Sequence, residues 1–319
     1  MDSYTWIIIL NYNNSQLTLD CLNSLNTYIH SPCRILIIDN NSLLEEKKLL
    51  KSIIKSFQKN KTSPYILDCQ GIYLDKNVWY ACGNKEGCKY FYKDNKCEDI
   101  LIVNNDTVFV EDILIPLKTV LWGDKDIAWV MPRLVNAKWE DETAVRSKKS
   151  FLYMMFYLPF VFFNLQNVLN IIKKWWIYKA TDKKLDLNTV SSDSIAISCE
   201  VMHWACFLVK KAYFQSVDDF DKRTFLYFEE DILWCKFESI NKVWYLVPNT
   251  KIIHLWGESS KKMTSYFLDV CIRNSSYVYI KHYLNSWKFK SIIFYIFAKC
   301  WLFVDWIFKS RKKVDLKKI

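Results

Sequence analysis

Three short apolar runs, each stopping abruptly at polar residues, constrain this chain more than any other feature. They are Ile7-Ile8-Ile9-Leu10 before Asn11-Tyr12-Asn13, Ile35-Leu36-Ile37-Ile38 before Asp39-Asn40-Asn41-Ser42, and Ile100-Leu101-Ile102-Val103 before Asn104-Asn105-Asp106. Runs that are apolar at every position suit strands covered on both faces. Strands are therefore expected at 6–10, 34–38, 65–69 and 99–103. Between them, residues 15–28 place Leu17, Cys21, Leu22 and Leu25 at helical spacing behind Ser15, a suitable N-cap, and residues 43–58 are strongly amphipathic. This alternation predicts an α/β domain with a mostly parallel sheet covered by helices. Ligands of such sheets gather at the carboxyl ends of the strands, where Asn11, Asp39, Asn104 and Asp106 stand.

The same layout serves dinucleotide and P-loop proteins, but both need glycine-rich turns. Here the first strand is followed by Asn11-Tyr12-Asn13-Asn14-Ser15-Gln16, and the chain has five glycines in all, so neither chemistry fits. The net charge of +10, from 44 basic and 34 acidic residues, suits an anionic partner such as a nucleotide diphosphate, acidic lipid headgroups or nucleic acid. None of the 11 cysteines falls in C-x-x-C, and no apolar secretory segment precedes the first strand. Reduced, mostly buried thiols in a cytosolic protein are expected.

Two apolar stretches stand apart. Residues 150–172 are uncharged and long enough to span a bilayer, but Pro159, Asn164, Gln166, Asn167 and Asn170 would be costly in hydrocarbon. With Lys173-Lys174-Trp175-Trp176 following, an interfacial segment fits better. Residues 287–309 are nearly all apolar and flanked by Lys281, Lys288 and Lys290 on one side and Arg311, Lys312, Lys313, Lys317 and Lys318 on the other. Basic flanks at both ends favour a helix lying on an anionic leaflet. The alternative is a helix packed against the rest of the protein.

Phe228-Glu229-Glu230-Asp231 gathers three carboxylates at a helix start, backed by Phe225 and Tyr227. The helix dipole alone would favour acids there. An apolar wall also shields such a group from bulk water, as a general base requires.

Taken in order, these segments resemble nucleotide-sugar glycosyltransferases of the GT-A fold, family 2, and especially bacterial rhamnosyltransferase-like enzymes of surface polysaccharide synthesis. The resemblance spans roughly residues 4–283. Asp39-Asn40-Asn41-Ser42 is similar to the family's D-N-x-S stretch, which implies that Asp39 holds the base, with Asn11 nearby. Tyr12 stacks on the base or is an ordinary packing residue. Asn77-Val78-Trp79-Tyr80-Ala81-Cys82-Gly83-Asn84 resembles N-x-G-x-A-x-G-N, with Trp79 where glycine is usual. Gly83 and Asn84, read as part of a loop, would approach the ribose or phosphates. Asn104-Asn105-Asp106 stands at the D-x-D position, implying Asp106 as metal ligand and Asn104 as a weaker partner. The segment ending in His254-Leu255-Trp256-Gly257-Glu258-Ser259 resembles the family's H-x-x-G-x-S, implying His254 as second ligand. In the acidic cluster, an ungapped match makes Glu230 the base, and a one-residue shift makes it Asp231. Trp204, in Trp204-Ala205-Cys206-Phe207-Leu208, either stacks on an acceptor sugar or belongs to the core.

The resemblance implies an inverting hexosyl transfer from a UDP- or dTDP-sugar to an acceptor hydroxyl, with Mg2+ or Mn2+, and the basic, aromatic segments suit a glycan acceptor carried on a lipid. The enzyme would work on the cytoplasmic face of the cell membrane and would not bind nucleic acid. The expected organisation is a catalytic domain over 1–265, with 150–179 as an apolar interfacial insertion, and a helical membrane-associating region over 266–319. A sugar nucleotidyltransferase would need a basic glycine-rich loop after the first strand, which is missing. A non-catalytic membrane-bound scaffold with the same fold is the other alternative.

Overall fold

The first, second and fourth expected strands form, each longer at both ends than its apolar run, and the third begins at Ile66 and continues to Tyr73. A computed structural model describes residues 3–146, 148–151, 154, 183–184, 195–202, 205–255, 265–284 and 289–296. Trp204, most of 150–179, and all of 287–309 except 289–296 lie outside the described residues. In chain order the elements are β1 (Tyr4–Asn11), α1 (Ser15–Tyr28), β2 (Cys33–Asp39), α2 (Leu44–Asn60), β3 (Ile66–Tyr73), α3 (Trp79–Tyr92), β4 (Cys97–Asn104), β5 (Thr107–Phe109), α4 (Leu114–Gly123) and β6 (Ile127–Val135). They continue with β7 (Ala144–Arg146), β8 (Lys183–Lys184), β9 (Ile197–Ser198), β10 (Val201–Met202), β11 (Cys206–Lys210), α5 (Lys211–Ser216), α6 (Glu229–Glu238), β12 (Val243–His254) and α7 (Ser265–Tyr283).

Among the described residues nine strands form one sheet in the order β3-β2-β1-β4-β11-β6-β12-β5, with β9 beside β12. The four N-terminal strands are parallel, as the uninterrupted apolar runs require. The sheet as a whole is mixed, because β11 enters antiparallel between β4 and β6, and β5 and β9 run antiparallel to β12. Ile7, Ile8, Ile9, Ile35, Leu36, Ile37, Ile38, Ile100 and Leu101 are wholly buried. Helix–sheet contact is tight at α3, where a methyl on Gly83 would lie 2.6 Å from Leu10 Cδ1 and one on Gly87 2.6 Å from Ile38 Cδ1.

A second, smaller core joins α6 to α7. Phe228, Ile232 and Cys235 pack with Tyr279 and Ile280, and Phe294 and Met154 complete the cluster. α7, which begins at the expected 265/266 boundary, packs on α6 through this core. Residues 289–296 are helical: Ser291 and Phe294 are buried, while Phe289, Ile292, Ile293, Tyr295 and Ile296 are exposed. Among the described residues no helix is long and apolar enough to cross a membrane.

Candidate active site

The tips of β1, β2 and β4 are laced together by side chains that have left the sheet. Asn11, wholly buried, donates from Nδ2 to Asp39 Oδ1 at 3.0 Å and to Ser42 Oγ at 3.2 Å. Its Oδ1 accepts from Thr18 Oγ1 at 3.0 Å and from Asn105 Nδ2 at 3.3 Å. Asp39 Oδ2 accepts from the Ser42 backbone at 3.2 Å, with Lys47 Nζ 3.9 Å away. Asp39 is itself wholly buried, so both of its oxygens are spent on shaping this turn. Tyr12 lies half-buried beside the network. Ser15, expected to cap α1, is the first helical residue, and Asn14 at the N-cap makes no side-chain capping bond. The Ser15 backbone N–H is bonded instead to Glu46 Oε2 at 3.0 Å.

Asp106 and His254 come together from separate strands. Antiparallel pairing aligns His254 with Thr107, and the Leu255 N–H donates to the Asp106 carbonyl at 2.9 Å. Asp106 Oδ1 and His254 Nε2 are thereby 3.2 Å apart, both side chains being buried. No group of three or more His, Cys, Asp or Glu side chains is arranged to hold a metal among the described residues. Asp106 and His254 do provide one hard oxygen and one imidazole nitrogen. Such a pair suits a divalent cation that takes its remaining ligands from phosphate and water.

Residues 79–84, expected in a loop, open α3. Gly83 is used for packing against Leu10, and Asn84 is wholly buried with its Nδ2 donating to the Tyr80 carbonyl at 3.0 Å. Asn84 Oδ1 is buried without a hydrogen-bond partner among the described residues. Trp79 has φ 70°, the left-handed region that favours glycine, which is the residue the resembling motif carries there. Its ring lies against Phe225 and 5.6 Å, centroid to centroid, from Phe267 of α7. Tyr80 follows, and its hydroxyl donates to Asn104 Oδ1 at 2.9 Å. Burial and then the charges of Glu229, Glu230 and Asp106 push the Tyr80 phenol well above its ordinary range. That hydroxyl therefore lies where the strand tip and the acidic helix face one another.

The acidic helix begins on a strained turn. Tyr227 and Phe228 have φ 72° and 69°, consecutive left-handed conformations in two bulky residues. Phe228 is locked by its place in the second core, its ring 5.5 Å from that of Tyr279. The three carboxylates that follow differ in environment. Glu229 is buried, its Oε1 has no hydrogen-bond partner among the described residues, and burial followed by the charge of Glu230 pushes its carboxyl up to about 8. Glu230 is half-buried. Asp231 is wholly buried, with Oδ2 3.2 Å from Lys149 Nζ. The sequence reading had named Glu230 and Asp231. Glu229 and Tyr80 stand in motifs quoted from the sequence but take on a part in the site only with the structure, and for Lys149 no motif signals it. The site thus draws together Asn11, Asp39, Asn104, Asp106, His254 and the start of α6, whereas Gly83 and Asn84 are embedded in α3.

No family model matches the sequence, and no curated protein matches it. Among solved structures the chain is similar to GalNAc-T7 crystallised with UDP, GalNAc and Mn2+, with a TM-score of 0.60 and 12% identity, covering 87% of this chain. It spans about half of that protein, 47% of its chain. It is also similar to the mannosyltransferase PcManGT from Pyrobaculum calidifontis in complex with GDP-Man and Mn2+, with a TM-score of 0.56, 8% identity, and coverage of 98% of this chain and 77% of that one. The fold is therefore the GT-A type of α/β fold.

Proposed function

We propose that the protein is an inverting, metal-dependent glycosyltransferase of the family 2, rhamnosyltransferase-like kind. Its donor would be a UDP- or dTDP-sugar and its acceptor a hydroxyl of a lipid-linked glycan in surface polysaccharide synthesis. The observation that carries this reading is the pairing of Asp106 with His254 near Tyr80, whose phenol feels the charges of Glu229, Glu230 and Asp106 together. Two neighbours of the same fold were crystallised with a nucleotide or nucleotide sugar and Mn2+, which supports a nucleotide and a divalent cation here.

Each group then has a task. The Asn11–Asp39–Ser42 network holds the loop on which the base rests, with Tyr12 beside it. Asp106 and His254 hold the cation, with Asn104 kept in place by Tyr80. When bound, the cation neutralises charge developing on the departing diphosphate. Glu230, the least buried of the three residues, removes the acceptor hydroxyl proton. The acceptor oxygen forms its bond to the anomeric carbon as the bond to the diphosphate breaks, and that electron pair leaves with the nucleotide. Attack opposite the leaving group inverts the centre.

A membrane-surface location on the cytoplasmic leaflet accompanies this reading. It is supported by the exposed Phe289, Ile292, Ile293, Tyr295 and Ile296 and by the basic residues around them in the sequence. A panel of nucleotide sugars tested for diphosphate release with and without Mn2+ or Mg2+ tests the proposal. It expects cation-dependent release from a UDP- or dTDP-sugar. Silence across the whole panel, with a glycan acceptor present, overturns it.

A further inference from the structure

Three carboxylates in a row at one helix start, two of them buried, are a costly arrangement unless a cation is built in. One is. Lys149 Nζ lies 3.2 Å from Asp231 Oδ2 and 4.3 Å over the ring of Phe228, the strained residue from which α6 starts. Its backbone is fixed as well, because the Tyr279 hydroxyl of α7 donates to the Lys149 carbonyl at 3.0 Å. The preceding residue is tied in the same way: Lys148 Nζ reaches Glu238 Oε2 at 2.9 Å, and its backbone N–H donates to Glu200 Oε2 at 2.9 Å. Two adjacent lysines therefore bracket α6 from Asp231 at one end to Glu238 at the other. A merely solvated pair of surface lysines would make neither the backbone staple nor the ring contact.

Building on the glycosyltransferase reading, we propose that Lys149 is a positioning residue: it ties Asp231 away from the cleft and so leaves Glu230 as the carboxylate that meets the acceptor. This separates the two registers that the sequence left open. With its carboxylate held to Lys149 in a wholly buried position, Asp231 is unavailable to an incoming hydroxyl. Lys149 also offsets the charge that Glu230 and Asp231 impose on Glu229, and Tyr80 on α3 and Cys271 on α7 sense the Glu229 charge in turn. Removing the lysine cation makes ionisation of the whole cluster harder.

The test is the pH profile of diphosphate release by the full-length protein and its Lys149→Gln and Lys149→Arg variants. For Lys149→Gln the acid limb of kcat/KM should move up by about one pH unit, lowering the rate about tenfold on that limb while the high-pH plateau holds. Lys149→Arg should restore the original profile. A uniform fall at every pH, unrepaired by arginine, would mean a purely structural role and overturn the inference. So would an unchanged profile. Thermal unfolding against pH supplies a readout that needs no turnover: Lys149→Gln should destabilise the protein more as pH rises, and equal destabilisation at all pH values refutes the inference. If the wild type itself releases no diphosphate, the glycosyltransferase reading fails, while the unfolding comparison still judges Lys149.

Discussion

Asp106 Oδ1 and His254 Nε2 stand 3.2 Å apart, although nearly half of the chain lies between them. The contact depends on sheet register, since β12 must pair with β5 so that His254 lies opposite Thr107. A slip of one residue would turn His254 to the other face of the sheet and away from Asp106.

Replacing Asp106 with alanine removes the hard oxygen of this pair. Turnover of the donor should fall by about 10³-fold or more, since a cation on the leaving group supplies several kcal/mol of transition-state stabilisation. His254→Ala should lower activity with partial recovery at high Mn2+, read from initial rates against metal concentration.

Tyr80→Phe deletes one hydroxyl and the bond it donates to Asn104 Oδ1. A buried bond of this kind is worth about 0.5–1.5 kcal/mol, so the denaturant midpoint should drop by a corresponding amount with the slope unchanged. A larger fall in activity than in stability is expected, because Asn104 leads directly into Asp106.

Glu229 should make stability fall as pH rises. Its folded carboxyl is raised from 4.5 to about 8, chiefly by burial and then by Glu230. The folded state thus holds the proton more tightly than the unfolded chain. The stabilisation is complete at low pH and is lost progressively as pH rises through that window. Glu229→Gln should flatten this decline and leave the variant more stable than wild type at alkaline pH, measured by thermal unfolding across pH.

Asp221 works in the opposite sense. Burial opposes its charge, but the bonds from Arg223 and from the Tyr283 hydroxyl outweigh burial and hold it at about 2. Its contribution is present above 3.8 and lost as pH falls toward 2. Tyr283→Phe should raise the pH at which acid unfolding begins and loosen α7, visible as faster amide exchange in that helix.

The parts of this fold that are legible in the sequence are those where one physical demand dominates. Ile7–Leu10, Ile35–Ile38 and Ile100–Val103 can only be buried strands, and their polar ends mark the rim of the site. The start of α3 is illegible because Gly83 and Asn84 read as loop residues, whereas Gly83 serves the approach to Leu10 and Trp79 takes a left-handed conformation just at the helix start. The antiparallel entry of β11 is equally hidden, since a strand buried on both faces has the same composition in either direction. The ranking of Glu229, Glu230 and Asp231 depends on what α7 and Lys149 bring from far along the chain. No local pattern encodes that. The roles expected for Trp204 and residues 150–172 concern residues outside those described, apart from residues 150, 151 and 154.

Titrating Mn2+ calorimetrically into the protein with UDP or dTDP present, for the wild type, Asp106→Ala, His254→Ala and Glu230→Gln, reaches the central claim most directly. Two halves of one site predict that the first two variants lose affinity for the ion, while Glu230→Gln binds it normally yet turns over nucleotide sugar about 10²–10⁴ times more slowly. Metal binding indifferent to both Asp106 and His254 would contradict the account.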